Sequence, residues 1–186
     1  MSTFAESKVA QAAAYFLNRQ GGTMPHLKLI KLLYLMDRES MQRYGEPISW
    51  DRHVSMPHGP VPSGTLNLLN GEAESSGEWG EWVSPRYNHT VSLTRPIDKS
   101  ELDRLSDADI DVLNGVWDQF GHMTQWDLRD WTHRHCAEWK DPGQSSLPIH
   151  ARAIFVALGA PDSLARSQSA RMQRHIQTEN TFARHR

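Results

Sequence analysis

Ten histidines and a single cysteine are the side chains of this sequence best suited to chemistry. His133, His135 and Cys136 fall together in THRHC, and His53, His58 and His122 can join them only through the fold. Imidazole and thiolate are zinc ligands, but zinc needs three or four convergent donors, and its structural sites usually show paired Cys or His spacings. No C-x-x-C, H-E-x-x-H or facial-triad pattern occurs, and on a helix His133 and His135 point to different faces. No metal and no cofactor is therefore expected. Ser63 lies near His58, but in VPSG rather than in a G-x-S-x-G elbow, so it reads as a helix cap. Cys136 reads as a small packed thiol in a tryptophan-rich helix. Neither phosphate-binding glycine pattern is present. The residues thus name no catalytic group; an enzyme or small-ligand site on Asp37, His58 and His133 is the alternative from that class.

The stretch around His58, MPHGPVPSG from Met56 to Gly64, holds three prolines and two glycines. It is too rigid for a helix and too kinked for a central strand, so a fixed corner is expected. Before it comes the strongest helical pattern of the chain, residues 25–45, with Pro25 at its start and Gly45 just past its end. On a helical wheel Leu29, Ile30, Leu33, Tyr34, Met36, Met41 and Tyr44 share one half, while Lys28, Lys31, Arg38, Glu39, Gln42 and Arg43 share most of the other. Leu32 and Leu35 interrupt the polar half, so this helix is expected to be central and touched on several sides. Asp37 falls inside the apolar arc. A carboxylate there must be paired, because desolvating it alone costs several kcal/mol; Arg52, His53 or His58 are the candidate partners.

The elements that hold these residues follow from local signals. A first helix is expected over 4–19, closed by Gly21-Gly22, and a strand over ISWDRHVSM. SGTLNLLNG reads as a short helix, GEAESSGEWGE as a surface loop and EWVSPRYNHTVSLTR as a hairpin. Ser106 caps a helix ending at Gly121, and Thr124 with Asp127 opens another through WDLRDWTHRHCAEW. SLPIHARAIFVALG is a further helix. The tail from Asp162 is rich in Ser, Gln and Arg, lacks lysine, and reads as a polar helix or a partly disordered segment. Trp117, Trp126 and Trp131 are expected in the core; Trp50, Trp79, Trp82 and Trp139 are candidates for exposed anchors. The fold class is mainly α: a single-domain helical bundle around a central helix, with a small antiparallel hairpin or three-stranded sheet. The expected division is a domain over 4–160 and a basic tail over 161–186.

Composition narrows the partners. With 38% hydrophobic and 23% charged residues the 186-residue chain resembles a globular protein with a real core. No run approaches the roughly 20 apolar residues of a membrane span, and the amino-terminal stretch lacks the basic start of a signal peptide. A net charge of −2 makes nucleic-acid binding an unexpected role. One cysteine suits a cytoplasmic location.

LIKLLYLMDRESMQRYGEPISWDRHVSMPHGPVPSGTLNLL resembles the Panacea domain, the SocA-like antitoxin domain of bacteria and their phages. The likeness lies in Lys31-Leu32-Leu33-Tyr34, Asp37, Tyr44-Gly45, Pro47, Asp51 and His58-Gly59-Pro60-Val61. A second signature is similar through Leu128, Thr132-His133, Glu138-Trp139 and Pro142, although relatives often carry proline directly before the tryptophan. The resemblance runs roughly from Lys8 to Leu158. It implies a mostly helical antitoxin of a type II toxin–antitoxin pair, with a cognate toxin as partner and no need for catalysis. It also implies an alternative, a proteolytic adaptor delivering the toxin to a bacterial protease. On that reading the partner surface contains the HGPV corner and the Thr132-to-Trp139 segment. Asp37, His58 and Pro60 would shape it, with Thr132 and His133, while Trp50 and Trp139 would supply aromatic contact.

Overall fold

The computed structural model describes residues 4–184, which form eight α-helices and five short strands. α1 (Glu6–Arg19) ends where Gly21 and Gly22 take positive φ. α2 (His26–Tyr44) starts after Pro25 and stops at Gly45, whose φ of +79° gives the left-handed turn that releases the last carbonyls. α2 is buried on nearly all sides: α1, α5 (Asp107–Phe120), α6 (Gln125–His135) and the strand β3 (Gly59–Pro62) pack around it. The polar half of its wheel is therefore a solvent face only toward its C-terminal end, where Gln42 and Arg43 are exposed. Lys28 lies in the interior, donating to Gln20 Oε1 and the Gly121 carbonyl, each at 2.7 Å. Capping boxes at Ser106/Asp109 and Thr124/Asp127 open α5 and α6 as their spacing predicts.

Two small antiparallel sheets sit beside the helices. β2 (His53–Met56) is central to the larger one, flanked by β3 and by β5 (Leu147–Ile149). The expected corner is the turn of a hairpin, and the rest of the proline-rich stretch continues as the strand β3: Met56 pairs with Gly59 across Pro57-His58, and Val54 with Val61. Proline is tolerated in β3 because Pro60 and Pro62 oppose Ser55 and His53 at positions that need no N–H toward β2. Residues 48–51, expected to begin the strand, form irregular chain instead, with Trp50 at φ +51°. The segment expected as one helix from Ser146 supplies β5 first and then α7 (Ala151–Ala157).

The second sheet departs from expectation too. β4 (Thr90–Ser92) pairs with β1 (Thr23–Pro25), and the proposed hairpin survives only as the bridges Val83↔Leu93 and Tyr87↔Thr90. The long-range pairing buries Met24 against Val91, which a local hairpin would leave uncovered. α3 (Ser63–Asn70) forms as expected, whereas the expected loop holds α4 (Glu78–Trp82), whose Trp79 and Trp82 are 5% and 6% exposed and belong to the core. Trp126 reverses the other way: it is 49% exposed.

α8 spans Asp162–Arg184. Its Ala165 and Met172 join Met41, Ile149, Ile154 and Phe155 in a second small core, with Trp50 packed against it.

Candidate functional site

Three carboxylates organise the region around the hairpin. Asp37, fully buried on α2, accepts from the Ser49 backbone N–H at 2.9 Å, from the Ser49 hydroxyl, and shares a 2.9 Å hydrogen bond with His53 Nε2. Of the three expected partners only His53 meets it. Arg52 is exposed, and His58 lies on the hairpin turn. Asp37 therefore ties the irregular 46–52 segment and the start of β2 back onto the helix that precedes them.

Asp51 continues that tie. Its carboxylate accepts from Gly64 N, Thr65 N and Thr65 Oγ1 at 2.9, 2.7 and 2.8 Å. Those amides are the unsatisfied donors of the first turn of α3. The cap of α3 is thus Asp51 rather than Ser63. Glu138 makes the third anchor: its Oε1 accepts from Tyr34 Oη at 2.6 Å and Arg38 Nε at 2.8 Å. Burial, with the Glu138 charge beside it, holds the Tyr34 phenol well above its usual range.

Between these anchors α2 meets the hairpin directly. Lys31, with no exposed surface, donates from Nζ to the Pro60 carbonyl at 2.8 Å. Burial pushes its amine down to about 7. Gly59 is what lets the pieces close: at φ +98°, a Cβ there would stand 2.8 Å from both Lys31 Nζ and Thr132 Oγ1 and 3.2 Å from the His133 ring. Thr132 is buried and returns its hydroxyl to the Arg129 carbonyl. His133 stacks on Trp139 at 4.1 Å with an interplanar angle of 14°, and Trp139 Nε1 donates to the Met56 carbonyl at 3.0 Å. The end of α6 and the hairpin are thus fastened to each other as well as to α2. Burial, reinforced by the positive charges of Lys31 and Arg129, lowers the His133 pKa.

What faces outward is aromatic and basic. Exposed His58 meets Trp126 in a T-shaped contact at 6.5 Å, and the Arg129 guanidinium lies over the same indole at 5.1 Å. Trp126, Arg129 and His133 are spaced i, i+3, i+7 and so share one face of α6. Half-buried Trp139 extends that stripe toward the hairpin.

The expected site residues divide accordingly. Asp37, Pro60 and Thr132 are internal struts; His58, His133 and Trp139 meet at the surface. Trp50 does not join them: its ring packs on His175 of α8 at 4.3 Å. Asp37, His58 and His133 do not form one polar set either, since each has different neighbours. Cys136 is buried, and burial pushes its thiol up to about 12, away from thiolate chemistry at neutral pH. No group of three or more His, Cys, Asp or Glu among the described residues is placed to hold a metal ion. Lys31, expected on the polar half of α2, and Trp126, expected in the core, were not among the expected site residues, although α6 periodicity carried a signal for Trp126: it lies across the helix from Leu128, which is fully buried.

Together these features define a mainly helical domain whose central helix, proline-fixed hairpin and α6 present one rigid outer face. The chain belongs to the antitoxin SocA-like, Panacea domain family, whose model matches residues 29–140. That match holds α2 from Leu29 on, the hairpin, α6 and Trp139, and is narrower than the Lys8-to-Leu158 likeness. No curated protein and no solved structure matches the chain significantly. No helix among the described residues is long and apolar enough to cross a membrane.

Proposed function

We propose that this chain is an antitoxin that neutralises a cognate toxin protein in the bacterial cytoplasm by direct binding, without catalysis. The observation that carries this reading is the exposed Trp126, flanked by His58 and Arg129, on a face that buried hydrogen bonds hold in one shape. Tryptophan and arginine dominate protein interfaces when they project from a preorganised scaffold, because little side-chain entropy remains to be lost. His133 and Trp139 complete the contact surface; Asp37, Pro60 and Thr132 set its shape. Trp50 acts instead in holding α8.

The test is expression of the neighbouring open reading frame with and without this chain. The neighbour alone should arrest growth, co-expression should restore it, and the two proteins should co-purify. Trp126→Ala should lose rescue while its unfolding transition stays within about 0.5 kcal/mol of the parent, as for an exposed side chain. A harmless neighbour overturns the antitoxin reading, and full rescue by Trp126→Ala overturns the assigned face. Toxin that disappears with this chain present and returns in cells lacking a protease identifies an adaptor instead.

A further inference from the structure

α7 reads ARAIFVA, with Arg152 its one charged residue. A helix that is apolar all round is ordinarily buried on every side. Only one side of α7 is covered: Ile154 and Phe155 enter the second small core, while Ala153 and Val156 are exposed, Val156 at 49%. Ala153, Val156 and Ala157, spaced i, i+3, i+4, share the outer face. They line a groove of about 500 Å³ that also takes in Ala137 and Lys140, just past the end of α6. That volume falls in the range of about 300–1,000 Å³ typical of ligand sites. The chain at Lys140 is held in place, since its backbone N–H donates to Ser55 Oγ of β2 at 3.2 Å and Trp139 is bonded to Met56. α7 lies beyond residues 29–140, so the groove runs along the seam between the family-matched domain and the helices that follow it.

The charged groups that line the groove select its occupant. Two carboxylates are among them, and arginines hold both. The Glu138 side chain has no exposed surface and is bound to Tyr34 and Arg38. Asp162 accepts from Arg152 Nε at 3.1 Å and from Arg166 Nε at 2.7 Å, two guanidiniums against one carboxylate. Lys140 and His150 line the same groove and are exposed, and neither side chain has a hydrogen-bond or ion-pair partner among the described residues. An aliphatic surface beside an unpaired cation fits an apolar side chain carried next to a carboxylate. We propose that this groove is a second docking site, taking a segment of a partner protein in which an apolar residue is flanked by aspartate or glutamate. The assignment does not rest on the antitoxin reading.

The test uses full-length, ¹⁵N-labelled protein and synthetic peptides, blocked at both ends, with a central leucine between glutamates. Saturable shifts at the Lys140, Ala153 and Val156 amides are expected, and binding should weaken about tenfold in high salt as the charges are screened. Peptides with arginine in place of glutamate, or serine in place of leucine, should give none. Lys140→Glu should weaken binding about tenfold by reversing the unpaired charge; Val156→Ser should weaken it comparably while leaving every charge in place. Both positions are exposed, so the urea midpoints of the two variants should match the parent's. Absence of shifts, equal binding of the arginine peptide, or parental binding by either variant overturns the proposal. Stronger shifts at the same amides from a single-stranded oligonucleotide also overturn it, since charge alone is then being read. So does concentration-dependent self-association that Lys140→Glu removes, because the occupant is then a second copy of this chain. Growth rescue by the α6 face is read separately and decides none of these outcomes.

Discussion

Lys31→Met offers the sharpest test of how the hairpin is held. Lys31 Nζ is fully buried against the Pro60 carbonyl, and burial brings its pKa from 10.5 to about 7. Between those two values the unfolded chain binds a proton that the folded chain does not, so raising the pH favours folding. Each pH unit inside that window adds up to about 1.4 kcal/mol from this group. Allowing for the half-titrated amine at the lower end, wild-type protein should gain about 2 kcal/mol between pH 7 and pH 9 from Lys31 alone. Above pH 9 the raised pKa values of Tyr34 and Cys136 act in the opposite sense, which bounds the useful range. Lys31→Met keeps all but the last atom of the unbranched side chain and removes both the titration and the donor to the Pro60 carbonyl, a loss that does not vary with pH. Urea unfolding of both proteins at pH 7, 8 and 9 should show their stability difference shifting toward wild type by about 2 kcal/mol. Lys28, also lowered by burial, is common to both proteins and cancels. Parallel profiles would refute the reasoning: they would mean that water or a counter-charge reaches the amine.

Asp37→Ala removes the acceptor for two Ser49 donors and the His53 partner, and should cost about 3–5 kcal/mol in chemical denaturation, the range for breaking a buried polar cluster. Gly59→Ala combines a positive φ with contacts at 2.8 Å and should cost about 2–4 kcal/mol, whereas Gly71→Ala, at φ +71° with open space around it, should cost only about 1–2. Thermal unfolding of the pair separates steric closure from backbone strain. Asp51→Ala should lose about 1–2 kcal/mol and speed hydrogen exchange first at Gly64 and Thr65.

Where a signal is local, the sequence carries it. The caps at Ser106 and Thr124 and the Gly45 stop each lie within a few residues of what they control, and each appears as read; the burial of Asp37 was also legible from its place in the α2 arc, though its partners stand 12 and 16 residues away. Long-range choices leave no such trace. The Asp51 cap acts across 13 and 14 residues, the Tyr34–Glu138 bond across 104, and β1 finds β4 rather than the strand a turn would supply. Burial of polar residues on α2 was illegible for the same reason: Lys31 is interior because a proline carbonyl from another element receives it. Trp79 and Trp126 exchanged roles because local hydrophobicity does not say which side of a short helix the rest of the chain will cover.

The prolines of the three-stranded sheet carry a further consequence. Pro60 and Pro62 occupy the positions of β3 whose N–H groups would point away from β2, and Pro148 holds the matching position of β5, opposite Val54. Neither margin of the sheet can offer the outward donors on which an added strand would zip. Recruitment by strand addition, a common route to peptide capture and to runaway aggregation, is closed to this sheet. Whatever docks beside the hairpin must be recognised through side chains, so partner choice can change by surface substitution while the backbone beneath it stays the same.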